Sequence, residues 1–304
     1  MAAIFLSAQE TTIRVDVRLV RLLATVKDNF GNPIGNLKKE EFTVLDNGVP
    51  QEIAVFERHT EQPLSVALLV DTSASTAKDF RYQAESVTRF LRALFREGNP
   101  KDAVSLYSFN WQVLEHSDFT RNAERLERAV RGMKSEAGTA MYDAIWLAAD
   151  NLEQRDGRHV MVIVTDGADT VSTKKYRDAV EALHRADSVL YAILVIPITN
   201  DAGRNIGGEN ALTTMTASTG GRMFMPSLGA SLNEAFDEIL RDLRTQYLIG
   251  YYPRNIRPTK DPFHRTDVRV ARSGLRVVTR SGYYGDFTDA ERPSAEQRGA
   301  RGTR

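Results

Sequence analysis

The chain has 304 residues, 42% apolar and 26% charged, which allows one large globular domain or two ordinary ones. Forty basic residues balance forty acidic ones, so net charge gives no reason to expect binding to nucleic acid or an anionic membrane surface. Cysteine is absent, which excludes a disulfide framework, a thiolate metal site and a cysteine nucleophile.

Residues 1–10, "MAAIFLSAQE", hold a short apolar run and then Leu6-Ser7-Ala8, a small-residue pattern like a signal-peptidase site. A basic n-region is missing and the apolar run is short. The segment reads either as a signal-peptide remnant, which favours a periplasmic or secreted location, or as a disordered end. No other stretch approaches the roughly 20 apolar residues of a membrane span.

Residues 11–62 read as strands. "IRVDVRLVRLLATVKD" is rich in β-branched residues, and Asp46-Asn47-Gly48 lies between two alternating runs as a hairpin turn. The texture changes over residues 63–245. "LSVALLV" is a continuous apolar run, as expected of a parallel strand covered on both faces. Phe80, Ala84, Val87, Leu91 and Leu94 follow at helical spacing. "DAVSLYSF" then predicts a strand with "WQVLEHSDF" paired to it, and residues 121–132 and 141–153 predict helices. "HVMVIVTDG" is a second buried strand, followed by a helix over 173–187. "VLYAILVIP" is a third, "GGRMFMPS" an edge strand, and Leu232, Phe236, Ile239, Leu240 and Leu243 form one face of a last helix. Such alternation predicts βαβ units in a Rossmann-like, doubly wound, mostly parallel sheet.

Strands return over residues 246–286, and residues 287–304 are polar enough to predict a disordered tail. Neither flank has enough strands for a core of its own. The economical arrangement is one small β-sandwich built from both flanks, with the α/β domain inserted between them.

Open parallel sheets bind ligands beyond the carboxyl ends of their strands. Three polar segments fall there: Asp71-Thr72-Ser73-Ala74-Ser75, Thr139 in the loop entering the helix at 141, and Asp166 after "VMVIV". Together they offer only oxygen donors, which suit a hard divalent cation such as Mg²⁺. Two carboxylates at most offset the ion's charge, so an outside carboxylate has room to join. Each piece alone has a plainer explanation. Asp71 can end a strand, Ser75 or Thr139 can cap a helix, and Asp166-Gly167 can form a turn.

"LLVDTSAST", "GTAMYDAI" and "VIVTDGADT" resemble the three parts of the metal-ion-dependent adhesion site of von Willebrand factor A-type domains. The resemblance implies a Rossmann-like fold and a site for Mg²⁺, or for Mn²⁺ or Ca²⁺, that takes an acidic residue of a protein partner. It carries over to Asp71, Ser73, Ser75, Thr139 and Asp166 without substitution. Ala137 stands where many relatives have glycine, which stiffens the loop and removes no ligand. The flanks resemble the ends of a bacterial family of such proteins that is often predicted to be exported.

Three functions compete. The first is a metal-dependent protein-binding module, in which residues 200–210, "NDAGRNIGGEN", form a flexible glycine-rich connection near the site. The second is a Mg²⁺-dependent phosphatase-like hydrolase. A strand ending in Asp71 resembles the haloacid-dehalogenase phosphatases, and that resemblance implies a second aspartate two residues on as acid/base, where this chain has Ser73. No GxSxG, HExxH or GxxxxGK[ST] motif occurs. The third is a structural component of an envelope assembly whose metal only stiffens loops. The histidines are scattered, with His59, His184 and His264 reading as surface or flank residues.

Overall fold

The computed structural model describes residues 19–58, 62–195, 205–226, 230–256 and 261–285. Both the proposed signal-peptide remnant and the tail at 287–304 lie outside them, as does His59.

The central layer is a six-stranded sheet of β5 (Leu64–Asp71), β6 (Ala103–Phe109), β7 (Val113–Thr120), β8 (Arg158–Thr165), β9 (Val189–Leu194) and β10 (Met223–Phe224). Their order across the sheet is β10-β9-β8-β5-β6-β7. All pair in parallel except β7, which returns antiparallel along β6. Every residue of β5, β6, β8 and β9 is buried, which is why these strands read as unbroken apolar runs.

Among the described residues six α-helices cover the two faces. They are α1 (Phe80–Glu97), α2 (Ala123–Gly132), α3 (Met141–Glu153), α4 (Tyr176–Arg185), α5 (Ile206–Thr219) and α6 (Ala230–Thr245). Side chains alternate along each strand. On one face Val66, Leu68 and Val70 of β5 join Phe90 of α1, Leu126 of α2 and Phe236 of α6. On the other, Ala67 and Leu69 join Ile145 of α3, Leu183 of α4 and Leu212 of α5. Asp71 and Thr165 continue the alternation of the second face, the one covered by α3.

The first helix starts later than a cap at Ser75 requires, because its N-cap is Asp79. The helix expected over 173–187 is shorter, since Asp178 accepts the Lys175 N–H and fixes the start at Tyr176. The expected loop at 200–210 is corrected in its second half. Asn205 accepts the Gly208 N–H at 2.9 Å as an N-cap, and α5 begins at Ile206. Residues 200–204 lie outside the described residues.

The flanks supply eight more strands: β1 (Val20–Asp28), β2 (Phe42–Asp46), β3 (Val49–Gln51), β4 (Ile53–Arg58), β11 (Tyr247–Tyr251), β12 (Phe263–Val270), β13 (Leu275–Val278) and β14 (Gly282–Tyr284). They form two four-stranded sheets, β13-β1-β11-β4 and β14-β12-β2-β3, each mixing strands from both ends of the chain. Leu22, Val44, Tyr247, Ile249 and Val268 share one core across the two sheets. Lys27 of β1 donates to Asp242 of α6 at 2.9 Å, tying this layer to the α/β part.

Candidate metal centre

Chain order reverses beside β5. The chain runs from β5 to β6 on one side, and later places β8 on the other. The crevice at the carboxyl ends of β5 and β8 is therefore the topological switch point, where an open sheet leaves room for a ligand. Asp71 is the last residue of β5, and Asp166 directly follows β8.

The Asp71 side chain is fully buried. Its Oδ1 accepts the Ser73 N–H at 2.8 Å, and its Oδ2 accepts the Thr165 hydroxyl at 2.6 Å. Burial pushes the Asp71 carboxyl up to about 6; the Thr165 bond opposes the shift and the charge of Asp166 adds to it. A buried carboxylate with a second carboxylate in its field and no basic side chain among these partners is electrostatically suited to a cation.

Ser73 and Ser75 lie in the turns between β5 and α1, with their hydroxyls 3.0 Å apart. Ser75 therefore does not cap the helix; its oxygen faces that of Ser73. Thr76 closes the turn by donating to the Asp71 and Ser73 carbonyls at 3.1 and 2.9 Å.

The Thr139 loop is fastened to both neighbours. Glu136 N–H donates to the Thr72 carbonyl at 3.0 Å, and Ala140 N–H to the Asn110 carbonyl at 2.7 Å. Thr139 N–H donates to the Thr170 hydroxyl at 2.9 Å, and the Thr139 carbonyl accepts the Thr170 N–H at 2.8 Å. Thr139 does not cap α3, because the N-cap is Ala140 and makes no side-chain bond. Gly138 has φ +85°, and a Cβ there would stand 3.0 Å from the Trp111 Cβ, so this position requires glycine. Ala137 is exposed.

Asp166 is half-buried, and its Oδ1 accepts the Ala168 N–H at 3.1 Å. Its turn character is real, yet it leaves the second carboxyl oxygen without a role in the turn. The structure thus joins Asp71, Ser73 and Ser75 in one hydrogen-bonded turn. It sets Asp166 within electrostatic reach of Asp71 and ties the Thr139 loop to the segments after β5, β6 and β8. Among the described residues no three His, Cys, Asp or Glu side chains converge to hold an ion, so a cation here would depend on the hydroxyls.

Residues 65–238 match the family described as the von Willebrand factor type A domain, more than half of the chain. The chain belongs to that family. Its VWA fold is similar to the open conformation of the pilus adhesin SpaC from Lactobacillus rhamnosus GG, at 10% identity and a TM-score of 0.50 over 84% of this chain and 48% of that one. It is also similar to the conserved hypothetical protein BatB from Bacteroides thetaiotaomicron, at 17% identity and a TM-score of 0.48 over 59% and 98%. The vWF domain of the type V pili tip protein Mfa5 from Porphyromonas gingivalis matches at 20% identity and a TM-score of 0.35, over 36% of this chain. This VWA chain spans 39% of that Mfa5 chain. No curated protein matches.

Sequence reasoning missed Thr165, which its bond to Asp71 makes part of the candidate site; its parity with Asp71 on adjacent strands was the available signal. It also missed Gly208, where a Cβ would come within 1.5 Å of the Gly167 carbonyl oxygen. That contact seats the start of α5 on the turn carrying Asp166. One histidine is corrected: His184 is neither at the surface nor in a flank but buried on α4, where Phe263 of β12 and Tyr284 of β14 pack edge-on against its ring. His264 lies in the flank strand β12, with its ring 3.2 Å from the carboxylate of Asp46. The cavity of about 450 Å³ lined by Lys27, Arg222 and Asp242 includes none of the five candidate ligands.

Proposed function

We propose that this VWA chain is a divalent-cation-dependent protein-binding module working outside the cytoplasm. Asp71, Ser73, Ser75, Thr139 and Asp166 would hold Mg²⁺, or Mn²⁺ or Ca²⁺, directly or through water. Once bound, the ion supplies a positive centre for a carboxylate from the partner. The chain's own part is positioning. The Ser73 N–H and the Thr165 hydroxyl fix the Asp71 carboxylate, and the Thr72–Glu136 bond holds the Thr139 loop beside it.

The observation that carries this reading is the fully buried Asp71 carboxylate at the switch point, in the field of Asp166 and facing neutral hydroxyls. Two carboxylates roughly balance a divalent charge, so an incoming acidic side chain meets no net repulsion. Family membership and the likeness to the SpaC adhesin fold support an interaction role. Among the described residues no helix is long and apolar enough to cross a membrane. Titration calorimetry with Mg²⁺ and Mn²⁺ tests the site: heat is expected for the wild type and none for Asp71→Ala or Asp166→Ala. Silence in the wild type would remove the cation from the account. Metal-dependent turnover of a phosphate ester, lost in Asp71→Asn, would replace the binding role with a catalytic one.

A further inference from the structure

Three large apolar side chains stand in solvent on segments that pack directly against the candidate ligand loops. Trp111 is 56% exposed, Val171 46% and Ile206 65%. Trp111 lies in the turn after β6; its backbone runs against Gly138, and its indole N–H donates to the Glu136 carboxylate. Val171 donates its N–H to the Thr139 carbonyl at 3.3 Å. Ile206 opens α5, two residues before the glycine seated on Gly167. Trp111 follows β6, and Ile206 follows β9. In the sheet order those strands bracket β8 and β5, whose ends carry Asp166 and Asp71. Single exposed hydrophobics are ordinary on a protein surface, but three on segments at the same edge of one sheet point to a contact.

The acidic side chains of the surrounding loops are engaged within the chain. Glu136 accepts the Trp111 indole, Asp143 accepts the Thr173 and Lys174 N–H groups at 3.0 and 2.7 Å, and Asp169 accepts the Tyr142 N–H and the Ser172 hydroxyl at 3.2 and 2.5 Å. Among the described residues these three carboxylates are thus already satisfied within the chain, which leaves an open place in the cation's shell to a carboxylate from another molecule.

We propose that the partner presents an extended protein segment in which one Asp or Glu is flanked by bulky aliphatic or aromatic residues. Its carboxylate meets the cation, while its flanking side chains pack on Trp111 at one side and Ile206 at the other, with Val171 between them. The inference rests on the cation-site reading of Asp71, Ser73, Ser75, Thr139 and Asp166, and adds the composition of the partner. The attraction has two parts that can be removed separately. The charge selects an acid, and the apolar rim selects its neighbours.

The probe is a library of extended peptides with Asp fixed at the centre and randomised flanks, panned on the intact chain with Mg²⁺. A second library has Asn at the centre, and a third arm adds chelator. Enrichment of aromatic and aliphatic flanks in the Asp library alone, lost with chelator, is expected. Trp111→Ser and Ile206→Ser should then weaken the selected peptide about tenfold or more, the scale of losing one buried apolar contact, and Ile206→Ser, whose side chain holds no ligand loop, should do so with unchanged Mg²⁺ heats. Polar flanks, no flank preference, no captured peptide or full affinity in both variants would overturn the proposal. Absent Mg²⁺ heat in the wild type, or equal capture of Asn and Asp libraries, would instead overturn the underlying cation reading.

Discussion

The Thr165 hydroxyl donates a 2.6 Å hydrogen bond to Asp71 Oδ2, joining the carboxyl ends of the two strands that flank the switch point. Thr165 also accepts the Gly167 N–H at 3.0 Å, so one hydroxyl orients the Asp71 carboxylate and the turn bearing Asp166. Thr165→Val keeps the shape and removes both bonds. Outer partners of metal ligands typically change affinity by 10–100-fold. Mg²⁺ affinity by calorimetry should fall by about tenfold or more in Thr165→Val. Thr165→Ser should retain most of it. Equal affinities for the valine and serine variants would show that the bond does not tune the site.

Gly208 sits so close to Gly167 that a methyl group cannot be accommodated without moving α5. Gly208→Ala should therefore lower stability by about 1–3 kcal/mol, the usual cost of overpacking, despite alanine's better helix propensity. The control is Gly207→Ala, where the added Cβ meets nothing closer than 3.5 Å. That variant should be neutral or slightly stabilising. Urea unfolding of the pair checks the prediction, and a neutral Gly208→Ala would mean that the α5 start adjusts freely.

The same glycine shows where sequence reading stops. The buried strands were legible because parallel strands covered on both faces must be apolar throughout, as in "LSVALLV" and "HVMVIV". The polar residues at their ends were legible because oxygen side chains have few reasons to follow such runs. Thr165 was not, since threonine ordinarily fits a strand and its hydrogen bond depends on the neighbouring register. Gly207 and Gly208 read as loop chemistry, whereas the cap at Asn205 and the contact with Gly167 place them in a helix. Asp46 read as a hairpin residue. That holds for the backbone, with Asn47 and Gly48 at positive φ, but its side chain points into a core assembled from the other end of the chain.

Asp46 is fully buried and accepts the Tyr251 and Tyr283 hydroxyls at 2.8 and 2.7 Å. Tyr251 belongs to one flank sheet, and Asp46 and Tyr283 to the other. This carboxylate is therefore a polar clasp between strands contributed by both ends of the chain. Asp46→Ala strands two phenols in the interior, and should cost about 3–5 kcal/mol, as for breaking a buried charged network. The triple variant that adds Tyr251→Phe and Tyr283→Phe should recover part of that loss. Chemical denaturation of the single and triple variants checks this; a triple variant less stable than Asp46→Ala would reject the clasp.

His184 gives stability a pH dependence outside the candidate metal centre. Burial first, then the charge of Arg280, pulls its pKa down from 6.5 to about 4. The unfolded chain therefore binds a proton at this residue between about pH 6.5 and 4 while the folded chain does not. Stability rises with pH wherever the unfolded state holds more protons. The contribution is complete above 6.5 and is lost as pH falls toward 4, reaching about 3 kcal/mol at most, at 1.36 kcal/mol per unit. The ring packs edge-on against Phe263 and Tyr284, so His184→Phe preserves an aromatic contact while removing the titration. Urea unfolding at pH 7 and pH 5 in the presence of chelator should show a smaller acid loss in His184→Phe than in the wild type. Identical losses would mean that the imidazole reaches solvent and charges freely in the folded chain.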